Sequence, residues 1–191
     1  MISFAEFEIA LHGLLRLARF DAGFAGFFDL SARGARRSFR LALPLLPIVL
    51  FLIHLRAKWP EDTDMVRVVL GELITYGLGW VSFPLLLFYA GRAIDREARI
   101  YGAIAVYNWL SILSIGLQIP IVVAGYYGLD DSVVYDLFWL VILFVTACEF
   151  FAFWRLLGTG IGVIVALVLA EFSLSRILDL VLYGLVHGPM F

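Results

Sequence analysis

An all-α bundle of five membrane-crossing helices is the fold class this sequence predicts, and three observations predict it. Hydrophobic residues fill 63% of the 191 positions and charged residues only 16%, with a mean hydropathy of +0.98. A water-soluble domain has about a quarter of its residues charged, so polar surface is too scarce here to cover a globule in water. The apolar residues fall in five continuous runs, each near the roughly 20 residues that a helical span needs. The arginines collect in alternate connections, as they do where cytoplasmic loops hold the positive charge.

The runs cover about 39–55, 70–90, 101–124, 133–157 and 161–186. The last slightly exceeds a hydrocarbon core of about 30 Å at 1.5 Å per residue, an excess that tilt absorbs. Because the runs are continuous instead of alternating, spanning strands are not expected. Pro44, Pro47, Pro84 and Pro120 fall inside runs and predict kinks, since neighbouring helices can satisfy the freed carbonyls. Arg16, Arg19, Arg33, Arg36, Arg37 and Arg40 precede the first run; Arg92, Arg96 and Arg99 precede the third, and Arg155 ends the fourth. The opposite side has only Arg56, Lys58 and Arg67, in the acid-rich "RAKWPEDTDMVR", while "GLDDSVVYD" has none. That asymmetry predicts a cytoplasmic N-terminus and a C-terminus on the outer, periplasmic side. Trp59, Tyr126, Tyr127, Trp154 and Tyr183 fall near run ends, as an aromatic belt would place them. Short loops without sorting signals point to a bacterial cytoplasmic (inner) membrane.

Two regions follow: a cytoplasmic interfacial segment, 1–38, and a transmembrane domain, 39–191. Phe4, Phe7, Leu11, Leu14, Leu15 and Ala18 recur at steps of three and four, with Glu8, His12, Arg16 and Arg19 opposite. This predicts an amphipathic helix lying in the membrane interface. Arg33, Arg36, Arg37 and Arg40 then form a basic cluster suited to anionic lipid headgroups. Glu6 and Glu8 stand where a signal peptide would carry lysine or arginine, so no cleaved signal is expected.

Polar residues inside the runs carry the functional question. On the fifth, Glu171, Ser175 and Asp179 share one arc, with Arg176 at its edge and three residues from Asp179. Asp179 lies about 27 Å along the helix from Ile161, near the far interface, whereas Glu171, at about 15 Å, lies mid-membrane. The short connection "LLGTGIG" predicts an antiparallel fourth and fifth helix. Counting from it, Glu149 falls opposite Val168 and Thr146 nearly level with Glu171. If both acids turn inward they cannot comfortably ionise together, which predicts a neutral carboxylic acid at pH 7. On the third run Ser111, Ser114 and Gln118 share a face, with Asn108 nearby; on the second, Glu72, Thr75, Gly79 and Ser82 follow at steps of three and four. Such seams serve either as adhesive between membrane helices or as a hydrated path.

Much chemistry is not in the sequence. His12, His54 and His187 have no metal-ligand spacing, and Cys148 has no cysteine partner, so neither a metal site nor a disulfide is expected. "GTGIGV" follows a membrane helix and lacks the strand of a dinucleotide fingerprint. No cofactor, catalytic triad or nucleic-acid motif is expected, and no enzyme.

The polar connection "GRAIDREARIYG" leads into a third run beginning "YGAIAVYNWLSIL". With a cytoplasmic N-terminal segment and five closely spaced spans, this layout resembles the Yip-domain family, membrane proteins named for interaction with Ypt/Rab-type GTPases. The resemblance covers about residues 36–185. It implies a role in membrane organisation or trafficking, without a settled catalytic activity. Two functions therefore stand as expectations. One is a non-enzymatic membrane scaffold or accessory subunit with a membrane-protein partner or a second copy of itself. The other is a small proton- or cation-coupled transporter or channel, with Glu149 and Glu171 as sites and Arg176 as counter-charge.

Overall fold

The computed structural model describes residues 3–56 and 64–187. Lys58 and Trp59 lie outside the described residues, as does the side chain of His187. The helices are α1 (Phe4–Leu17), α2 (Ala32–Ser38), α3 (Ala42–Arg56), α4 (Met65–Ala93), α5 (Glu97–Tyr126), α6 (Asp131–Leu157) and α7 (Ile161–His187), with 3-10 turns at Ala22–Phe27 and Phe39–Leu41. Among the described residues there is no strand. Five stretches are long and apolar enough to cross a membrane: Ala32–Arg56, Met65–Ala93, Glu97–Tyr126, Asp131–Leu157 and Ile161–Gly184. The protein is an all-α, multi-pass membrane protein.

The helices outrun the apolar runs because hydropathy marks where lipid begins, not where hydrogen bonding stops. α4 starts at Met65, not near 70, since the Asp64 side chain accepts from the amides of Val66 and Arg67 at 3.0 and 3.2 Å, satisfying donors a helix start leaves open. α5 starts at Glu97 for want of any breaker after Arg96. The first crossing is helical from Ala32, through α2, a 3-10 turn and α3. Pro44 falls in the first turn of α3, just after the 3-10 turn Phe39–Leu41 that interrupts the first crossing. Pro47, Pro84 and Pro120 do lie within helices. α6 ends at Gly158, whose φ of 59° is left-handed and suits glycine; Arg99 Nη1 donates to the neighbouring Leu157 carbonyl at 3.3 Å.

Three cores hold the bundle. The first joins Ala10, Leu14 and Leu17 of α1, with Phe24 and Phe28, to Leu45, Trp109 and Cys148 on the spans. Segment 1–38 thus shares a core with the crossings; no break in packing falls at residue 38. The second, at the arginine-rich end, joins Phe83 and Leu87 of α4, Ile100 and Ile104 of α5, Phe153 and Leu157 of α6, and Ile164 and Leu167 of α7. The third, at the other end, joins Leu52, Ile121, Val122 and Phe138. Among the described residues, α7 contributes buried ones from its first two turns alone.

The stripe on α1 proves to be two faces. Ala10, Gly13, Leu14 and Leu17 dock on the protein, whereas Phe4, Phe7, Leu11 and Leu15 are exposed beside them, Phe4 by 82%. Glu8, His12 and Arg19 lie on the third side. A helix with protein, apolar and polar faces suits the corner between bundle, lipid and water. Of the four arginines assigned to headgroups, Arg33, Arg36 and Arg40 are exposed, but Arg37 is half-buried and pairs with Glu6 of α1. The carboxylate for Arg37 comes from the docked α1.

Asp21 closes the turn after α1, accepting from the Gly23 amide at 2.8 Å and from Arg16 Nε at 2.7 Å. These bonds, the Gly23 amide first, hold its carboxyl below the usual 3.8. A depressed value means the contribution is present above about pH 4 and lost as pH falls through the folded value. Asp21→Asn at pH 7 is therefore expected to raise amide exchange over residues 22–28, as acid below the folded value should in the parent; unchanged protection would contradict it.

Candidate intramembrane site

α5, α6 and α7 surround a cavity of about 290 Å³ at mid-bundle. Tyr107, Ser111 and Ser114 face it from α5, Thr146 and Glu149 from α6, and Glu171, Ser175, Arg176 and Asp179 from α7. The sequence named all of these except Tyr107. Its signal was there: Tyr107 lies four residues before Ser111, so it extends the Ser111–Ser114 face by one turn.

Glu149 is 4% exposed, and its Oε1 has no hydrogen-bond partner. Glu171 is near enough for the two carboxylates to repel when both are charged. Tyr107 Oη donates to Glu171 Oε1 at 3.3 Å. The arrangement follows from helix geometry, because α6 and α7 leave their short turn antiparallel, bringing both acids to similar height.

Arg176 and Asp179 form an ion pair of 3.3 Å at the rim, with side chains 55% and 58% exposed. Arg176 also lies over the Phe172 ring, 5.6 Å from its centroid. The counter-charge expected for the glutamates is thus engaged by Asp179, since a partner three residues along the same helix is closer at hand.

The remaining polar residues are placed elsewhere. Asn108 is fully buried and donates from Nδ2 to Ser38 Oγ at 2.9 Å, linking α5 to α2. Gln118 donates to Ser114 within α5 at 2.9 Å. On α4, Ser82 donates to the Leu78 carbonyl of its own helix at 2.7 Å, and the Thr75 hydroxyl is buried without a partner. Glu72 lies within electrostatic range of Asp179. None of these α4 residues lines the cavity. A second cavity, of about 460 Å³, lies among α1, the Ala22–Phe27 turn and α2, with the Glu6–Arg37 pair in its wall.

Among the described residues, no three His, Cys, Asp or Glu gather as metal ligands would. The mid-bundle cavity is instead rich in acceptors: two inner carboxylates and several hydroxyls, with its single cation already paired at the rim. It can hold a positive charge or a set of hydrogen-bond donors. Compared with protein-family models, curated proteins and solved structures, the chain matches none.

Proposed function

We propose that this protein is a non-enzymatic scaffold or accessory subunit of a bacterial inner membrane, completed by another membrane helix packed along α7. One observation supports this above others. The apolar window of α7 is only 11% buried, yet the helix carries the exposed Arg176–Asp179 pair. Arg176 lies about 3 Å past the helix midpoint, within the hydrocarbon depth, and Asp179 follows it toward the far interface. Each charge at such a level costs about 2.5–3.5 kcal/mol on the insertion scale, and charged groups there ordinarily face protein or water. Gly162, Ala166 and Ser173 lie on the exposed side of α7, and small residues let a second helix approach closely. The five-span layout shared with Yip-domain proteins supports the same reading.

The test is the mass of the intact assembly after mild detergent extraction. An oligomer or hetero-complex is expected, and Ser173→Trp should dissociate it while the helical signal persists. A wild-type monomer defeats the proposal. Orientation is tested in spheroplasts with a membrane-impermeant maleimide, in a Cys148→Ala background. Ser132→Cys should label at once and Ser3→Cys only after lysis; the reverse pattern refutes a cytoplasmic N-terminus.

The mid-bundle cavity favours a second reading, cation- or proton-coupled transport. It expects pH-dependent flux in liposomes that disappears in Glu171→Gln.

A further inference from the structure

We propose that the cavity among α5, α6 and α7 is a lateral binding site for a small lipophilic amine. Its ammonium would lie between Glu149 and Glu171, and its apolar body would point toward the opening between α6 and α7. Such binding stands apart from the partner on α7 and from transport, since it requires neither.

The first support is Glu149. A carboxylate that serves only as adhesive between helices has its oxygens bonded, yet this buried side chain lines the cavity with its Oε1 unpartnered. An N–H donor from a ligand would satisfy it. The second is the neighbouring Glu171, which shares the same space. One positive charge placed between two carboxylates relieves the repulsion of both. Ser111, Ser114 and Thr146 add hydroxyl acceptors for the remaining ammonium protons.

Wall chemistry and size select the ligand class. Leu110, Ile142, Val145 and Phe172 supply apolar wall, and the Phe172 ring offers a face to a cation. Hard divalent ions take about six to eight oxygens, often including backbone carbonyls, and carbonyls within helices are already engaged. The volume, about 290 Å³, is at the small end of ligand pockets, which begin near 300 Å³. A single-ring amine fits that bound.

The route is sideways. Among the described residues, α6 and α7 share buried ones near their connection alone, at Phe153, Leu157, Ile164 and Leu167. Farther along, Phe172 and Ser175 are exposed beside the cavity. An amphiphile dissolved among acyl chains therefore meets the opening directly.

The experiment measures binding of phenethylamine to the full chain in zwitterionic nanodiscs, with empty nanodiscs subtracted. Its neutral counterpart 2-phenylethanol, sodium chloride and potassium chloride are run in parallel. The amine should bind, and the alcohol at least tenfold more weakly. Glu149→Gln should raise Kd at least tenfold, and the double Glu149→Gln, Glu171→Gln protein should not bind. Val145→Trp, which fills the cavity and keeps both acids, should also abolish binding; thermal midpoints and near-ultraviolet dichroism report that each variant is folded. Equal affinity for alcohol and amine, amine binding that survives the double substitution, response to inorganic cations alone, or no binding by the wild type would each overturn the proposal.

Discussion

Gly13→Leu is expected to release α1 from the bundle while the five crossings stay folded. A Cβ at Gly13 would stand 2.7 Å from Phe27 Cβ and 2.7 Å from Phe28 Cε2. Neither neighbour can easily retreat. Phe27 Cβ is tied to its backbone, and the Phe28 ring is packed between Phe24 and Trp109, at 6.4 Å from each centroid. Overpacking of this kind costs about 1–3 kcal/mol. The penalty falls on a small docking face, Ala10, Leu14 and Leu17, so it competes with the docking energy of α1 alone. Amide exchange across residues 4–17 in nanodiscs should accelerate about tenfold or more, with α5 and α6 unchanged. The Glu6–Arg37 pair offers a comparison. Its side chains are 24% and 34% exposed, and solvent-screened pairs contribute about 0–1 kcal/mol, so Glu6→Gln should change exchange by less than about fivefold. If Glu6→Gln frees the helix and Gly13→Leu does not, charge and not shape holds α1 in place.

That contrast also marks what sequence patterns can carry. Apolar runs revealed the five crossings because bilayer thickness imposes a length on each. Helix starts at Met65 and Glu97 escaped the pattern, since caps and hydrogen bonds continue beyond lipid. On α1 the periodicity was real, but three- and four-residue spacing cannot tell a face buried in protein from one facing acyl chains; both are apolar. Gly13 and Ala10 were invisible for the same reason: small residues at a close contact carry no hydrophobic signal. The site was more legible. Glu149 and Glu171 could be set at one height from the short connection alone, because helical rise is fixed. Tyr107 was overlooked although its spacing matched Ser111 and Ser114, since a tyrosine in a membrane run reads as an interfacial anchor. The Arg176–Asp179 pair was legible as well, since two residues three apart on one helix need no tertiary structure to meet, and that pairing is what takes Arg176 away from the glutamates.

Glu149→Met is expected to stabilise the protein, by about 1–3 kcal/mol, and to remove amine binding in the same step. Burying a polar group without its bonds is unfavourable, and Glu149 is buried with one oxygen unpartnered beside a second acid. Well-packed apolar replacements of buried charged groups often come out neutral or more stable by about 1–4 kcal/mol. Methionine matches glutamate in length and adapts to irregular space. Glu149→Gln keeps the shape but leaves an amide with the same missing partners, so it should weaken binding without the gain in stability. The unfolding midpoint in detergent micelles, measured for all three proteins under one condition, separates the cases. A residue retained for packing would show the opposite order, with methionine the least stable of the three. A residue retained for what enters the cavity gives a stabler protein that no longer binds, the trade-off expected where function maintains local strain.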